Sequence, residues 1–119
     1  MKTSFHSVLA AAAVAASPLA FAHPALVESW PAKGEVLDAT PIEIRLTFNA
    51  QVQPRLSSIK LVSATGKRFD CDRPHADKAN PRSIEATAPF LRSGLYRAHW
   101  TAAGGDGHRL RGEFSFSIK

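Results

Sequence analysis

The stretch IEIRLTF, residues 42–48, decides the fold class of this chain. Apolar and polar residues alternate along it, and this pattern predicts a β-strand with one buried face made by Ile42, Ile44, Leu46 and Phe48. After residue 22, no segment long enough to judge shows the 3.6-residue period of a helix. The sequence therefore predicts an all-β protein.

Further strands are predicted on both sides of this one. Residues 26–27 favour a first strand, residues 59–61 and 83–87 favour short strands, and the alternation in residues 96–100 and 113–118 predicts a hairpin. Five to seven short strands separated by Pro and Gly turns, in a domain of this size, are typical of a small antiparallel Greek-key β-sandwich. An immunoglobulin-like or cupredoxin-like arrangement fits this pattern.

The amino-terminal segment has the three parts of a secretory signal peptide. Lys2 supplies positive charge, residues 8–16 are apolar, and Ala20-Phe21-Ala22 is a small-x-small cleavage site. The apolar run is much shorter than the roughly 20 residues that a membrane-spanning helix needs. We expect residues 1–22 to be removed after Ala22, and the mature protein to be exported to the periplasm.

Composition bounds what the remaining residues, 23–119, can be. Their number suits one small domain. The full chain has 15 Lys and Arg against 10 Asp and Glu, without a basic run, which argues against dedicated nucleic-acid binding and leaves attraction to an anionic partner or membrane surface. Cys71 is the only cysteine, so an intramolecular disulfide is impossible.

Two separated pieces of sequence predict a metal site. After cleavage, His23 offers both its α-amine and its imidazole, while Pro24 has no amide proton for a metal to displace. Asp106 and His108 are two residues apart and would project to the same side of an extended strand. Three nitrogens and one carboxylate suit Cu(II), whereas zinc prefers a tetrahedral cage. We predict one Cu(II) ion per chain, bound by His23, Asp106 and His108.

Plainer interpretations exist for the same residues. Gly104-Gly105-Asp106-Gly107 is also typical of a hairpin turn, with His108 merely following it on the surface. Residues 67–82 carry few apolar side chains and are predicted to form a long surface loop. Cys71 and His75 in that loop could bind Cu(I), but two ligands make an open site, and we favour chance proximity.

The order and spacing of several segments form a recognisable pattern, made by residues 23–29, 31–34, 44–48, 94–100 and 106–108, with Gly112 and Phe116. In this pattern the mature chain resembles the CopC family of periplasmic copper-resistance proteins. The resemblance implies a β-sandwich copper carrier that binds Cu(II) through the amino-terminal histidine, an aspartate and a second histidine, which correspond to His23, Asp106 and His108. It also implies a non-enzymatic role beside a CopD-type inner-membrane copper transporter. We expect a monomer.

Two departures from the family pattern narrow this expectation. Many members hold Cu(I) in a methionine-rich loop, whereas the only methionine here is Met1, in the predicted signal peptide. Some members place a glutamate just after the Phe of the second strand, where this chain reads Phe48-Asn49-Ala50. We therefore predict a Cu(II)-only member without a further protein carboxylate.

Other functions are weighed against a carrier. Copper oxygenases also hold their metal in a histidine brace, but Asp106 would fill a position that an oxygen-activating site keeps open. A metal-free adhesion sandwich is the third possibility. For the carrier, the amine and both imidazoles must lose protons to coordinate, so acidification is expected to release the ion.

Overall fold

Residues 24–119, which a computed structural model describes, form nine β-strands. The strands are β1 (Leu26–Trp30), β2 (Val36–Leu37), β3 (Glu43–Phe48), β4 (Val52–Ser63), β5 (Arg68–Asp70), β6 (His75–Asp77), β7 (Asn80–Thr87), β8 (Gly94–Gly104) and β9 (Arg109–Ile118). Within residues 24–119, no helix is long and apolar enough to cross a membrane. The predicted signal peptide and His23 lie outside the described residues.

The strands form two sheets, which confirms the predicted sandwich. The four-stranded sheet has the order β1-β3-β7-β6, and the five-stranded sheet has the order β2-β9-β8-β4-β5. The predicted hairpin of the last two strands is also confirmed, because β8 and β9 pair from Gly94 opposite Ile118 to Ala103 opposite Arg109. One pair departs from the antiparallel expectation, since the two-residue β2 runs parallel to β9.

The core lies between the two sheets and follows the period-two pattern of the strands. Ile44, Leu46 and Phe48 are buried as predicted. The ring of Phe48 meets that of Trp100 edge-on at a centroid distance of 5.3 Å, which joins the two sheets. Ile42 was predicted to share this face, and that prediction is wrong: its side chain is 82% exposed. Strand β3 begins one residue later, so the alternation does not yet govern where Ile42 points.

Residues 67–82 are not the predicted loop. They contain β5, β6 and the start of β7. Both β5 and β6 lie at sheet edges and are three residues long. Short edge strands bury little of their surface, so they can form without alternating apolar residues. Because β5 and β6 lack that alternation, the sequence pattern did not predict them. The same edge strands raise the count to nine, above the predicted five to seven.

Candidate metal centre

Asp106 and His108 meet in the turn that joins β8 to β9. One carboxylate oxygen, Oδ2, lies 2.7 Å from Nδ1 of the imidazole, and the other, Oδ1, accepts a hydrogen bond of 3.0 Å from the backbone N–H of His108. Gly107 between them has φ +82°, a left-handed conformation that glycine adopts without steric cost. The two predicted ligands are therefore brought together by a turn, not by the extended strand that we expected.

The turn also favours the ionised form of the Asp106 carboxylate. The hydrogen bond from the His108 side chain, followed by the one from its backbone N–H, lowers the pKa of Asp106 below its ordinary value. Both bonds favour the ionised form, which is the form that a cation binds. The His108 side chain is 71% exposed, so a metal ion can approach this turn from solvent.

Pro24 packs directly against the same turn. It is buried, and a Cβ atom placed on Gly104 would lie 3.1 Å from its Cδ and 3.4 Å from Oδ1 of Asp106. A side chain at position 104 would therefore push against the proline ring on one side and the carboxylate on the other. The absence of that side chain lets the amino-terminal segment lie beside Asp106.

Asn49 fixes the first described residues from the other side. Its side-chain oxygen accepts a hydrogen bond of 2.8 Å from the backbone N–H of Ala25, and its own N–H donates to the carbonyl of Ala25 at 3.0 Å. These two bonds close a clamp on the backbone next to Pro24. In the sequence, Asn49 stands out only as a departure from the family's glutamate, so this role was not predicted.

Gln53 holds the turn from strand β4. Its side-chain N–H donates to the carbonyl of Gly104 at 2.7 Å, and its own carbonyl accepts a 2.7 Å bond from the hydroxyl of Ser57. The pairing of β4 with β8 is irregular between Gln53 and Ser58, which is typical of a bulge that redirects a side chain. Nothing in the local sequence pattern indicated this contact, because it depends on a partner 51 residues away.

Cys71 and His75, the residues considered for Cu(I), have surroundings that do not favour metal binding. Burial, then the carboxylates of Asp70 and Asp72, raise the pKa of the Cys71 thiol to about 12, which disfavours the thiolate that metals bind. His75 instead lies with Nε2 at 3.6 Å from Oε2 of Glu85. Across residues 24–119, no three or more His, Cys, Asp or Glu side chains are grouped so that they could hold a metal ion.

Comparisons with known proteins agree with this architecture. The CopC domain model matches residues 26–119. The chain is 35% identical over 121 residues to copper resistance protein C of Xanthomonas campestris pv. juglandis, which spans 95% of this chain and 93% of that protein. It is 32% identical over 99 residues to copper transport protein CutJ of Bacillus subtilis, and there it spans 82% of this chain but only 18% of the longer relative.

The likeness extends to three dimensions. The crystal structure of CopC from Methylosinus trichosporium OB3b aligns with a TM-score of 0.74 at 28% identity, over 82% of this chain and 94% of that one. The matched family region contains all nine described strands and the Asp106–His108 turn. Sequence and fold thus lead to one assignment: the chain belongs to the CopC domain family.

Proposed function

We propose that this protein is a periplasmic copper carrier that binds one Cu(II) ion through His23, Asp106 and His108 and catalyses no reaction. The relatives named for copper resistance and copper transport support copper as the cargo. Cleavage after Ala22 is part of the proposal, because only a free amino terminus at His23 supplies both an amine and an imidazole.

The contact between Pro24 and Gly104 carries this proposal. His23 is covalently bonded to the ring nitrogen of Pro24, and the ring carbon next to that nitrogen lies against Gly104. The α-amine and imidazole of His23 therefore start one peptide unit from the turn that bears Asp106 and His108. A ligand from the amino terminus and two from a distant hairpin can then share one ion.

The spacing of the two hairpin donors also supports a shared metal ion. Two ligands at bonds of about 2 Å and a right angle are separated by about 2.8 Å, and Oδ2 of Asp106 lies 2.7 Å from Nδ1 of His108. The set of nitrogen and carboxylate donors suits Cu(II). An ion bound by both atoms would replace the hydrogen bond between them.

Release and transfer follow from the same chemistry. The imidazoles and the α-amine must be deprotonated to bind, so a fall in pH weakens the complex. The exposure of His108 gives an acceptor direct access to the ion. We propose delivery to a CopD-type inner-membrane copper transporter.

Asp106 in the coordination shell disfavours an oxygenase, because it occupies a position that oxygen would need.

The test compares three forms of the exported protein by Cu(II) paramagnetic resonance and competition titration. The first begins at His23, the second carries one glycine ahead of His23, and the third carries one glycine after Lys119 as a control. We expect the amino-terminal glycine to change the spectrum and weaken binding, and the carboxy-terminal glycine to change neither. Identical spectra and affinities for all three forms would rule out the amino-terminal ligand.

A further inference from the structure

An apolar and basic tip lies at the end of the sandwich opposite the turn that bears Asp106 and His108, which we call the metal turn after its proposed role. It consists of Lys67, Phe90, Arg92 and Leu95, which line one open groove of about 680 Å³. Phe90 is 75% exposed and Leu95 is 54% exposed. Phe90 and Leu95 are poorly hydrated apolar side chains, and the two cations beside them are well hydrated. The tip therefore combines exposed apolar surface with positive charge.

The charged side chains that line the groove have one sign. Nζ of Lys67 lies 5.1 Å from the centroid of the Phe69 ring, which holds the ammonium over the groove. Arg92 stands on the other wall, and none of the described residues that line the groove is acidic. Arg97 is exposed two residues after Leu95, on the same face of β8. The tip therefore attracts anions and repels other cations.

One acidic cluster lies away from the tip. On the outer face of the four-stranded sheet, the carboxylates of Glu43 and Glu85 bind Arg45 at 2.8 and 3.2 Å, so acids there outnumber the cation between them. Glu85 also faces His75. A negatively charged surface would therefore attract the tip more strongly than this acidic cluster.

We propose that the basic tip binds the surface of an anionic phospholipid bilayer, with Phe90 and Leu95 entering the headgroup region and Lys67 and Arg92 pairing with lipid phosphates. Basic residues and exposed Phe or Leu side chains are the combination that holds proteins at this interface. An acidic protein would use the cations but would need a fitted surface for Phe90, whose side chain projects into solvent. Lipid requires no such fit.

Docking at the tip leaves the metal turn in water. Strand β8 spans 11 residues from Gly94, beside the tip, to Gly104, beside Asp106. At roughly 3.3 Å per residue, this places the turn about 30 Å from the lipid surface. The inference goes beyond the copper function and does not rest on it, because the tip shares no residue with the metal centre.

The experiment measures sedimentation of the metal-free exported protein with vesicles, after its amino terminus has been checked by mass. Vesicles of phosphatidylcholine alone are compared with vesicles that also contain phosphatidylglycerol. We expect binding to the anionic vesicles only, and weaker binding as salt rises. Lys67→Gln with Arg92→Gln should weaken partitioning by roughly 30-fold, since each cation near the surface contributes about fivefold.

A second variant tests the apolar part. Phe90→Ser with Leu95→Ser should also reduce binding, whereas Val27→Ser with Ile42→Ser, which removes exposed apolar side chains outside the groove, should not. Arg55→Gln with Arg82→Gln is the matched control for charge. Circular dichroism checks that each variant is folded. Replacing the Arg92 side chain keeps the hydrogen bond from Tyr96, because the Tyr96 hydroxyl donates to the backbone carbonyl of Arg92.

Two sets of results would overturn the proposal. The first set is either no binding to anionic vesicles, or tip variants that bind them as tightly as the unchanged protein. The other is binding to soluble polyglutamate as tight as to vesicles, with vesicle binding unaffected by loss of Phe90 and Leu95. That second result would identify the tip as a site for an acidic protein surface.

Discussion

The indole ring of Trp100 occupies the space that a side chain at Gly112 would need. The two residues are paired across β8 and β9, and a Cβ atom placed on Gly112 would lie 2.8 Å from Nε1 of Trp100 and closer still to two ring carbons. Glycine at this position lets the ring lie flat across β9 and reach Phe48 in the other sheet. This contact braces the strands that end at the metal turn.

Gly112→Ala should destabilise the fold. The added methyl group must displace the Trp100 ring, and overpacking of this kind costs about 1–3 kcal/mol. Urea unfolding measures the loss. Gly105→Ala is the control, since its Cβ atom would meet nothing within 4 Å and its φ is not left-handed. Equal unfolding midpoints for the two variants would contradict this account of Gly112.

His108→Ala should weaken Cu(II) binding and leave unfolding almost unchanged, because the side chain is largely exposed. His99→Ala is the matched control, since His99 is also partly exposed and also pairs with a carboxylate, at 3.3 Å from Glu113. Competition titration with a copper chelator gives both affinities. If the two variants bind copper equally well, His108 is not a ligand.

Asn49→Ala should speed copper release. The substitution removes the bond from Ala25 N–H to the side chain, a loss of about 0.5–1.5 kcal/mol, and loosens the backbone that leads to the proposed ligand at His23. Stopped-flow mixing with excess chelator measures the rate. Asn80→Ala removes a similar side-chain bond, to the N–H of Arg82, and should not change release. Equal rates in both variants would argue against the clamp.

Cys71 should resist alkylation at pH 8 in the folded protein and react readily in urea. Its pKa of about 12, against 9.0 in the exposed thiol, keeps the sulfur protonated. Because the unfolded thiol ionises first, stability should fall as pH rises above about 9. Cys71→Ser should remove that part of the pH dependence. Fast alkylation of the folded protein would show that the thiol is accessible and ionised.

The sequence predicted those parts of the fold that depend on alternation within one strand. The buried face of β3 and the β8–β9 hairpin follow from local patterns, because one sheet face must be apolar to form the core. Strands β5 and β6 do not follow, since they bury little and are defined by the neighbour that they bind. The predicted burial of Ile42 was wrong because the alternating pattern extends one residue beyond the start of β3.

The candidate metal centre was also predicted only in part. Residue type and spacing suggested Asp106 and His108, and the turn brings them within hydrogen-bond distance. The supports at Asn49 and Gln53 escaped prediction because each binds backbone atoms that are remote in sequence. Such contacts between remote residues produce no periodic pattern in the sequence. The contact of Pro24 with Gly104 could not be predicted because these two residues are also far apart in the chain.

The buried position of Pro24 has a consequence for when copper can be loaded. A precursor that still carried its leader would present an amide, not an amine, at the residue joined to this anchored ring. Under the proposed function, cleavage by signal peptidase therefore completes the ligand set: a precursor lacks the amine ligand and binds Cu(II) more weakly, and full affinity appears only after cleavage. The precursor would then compete poorly for copper in the cytosol.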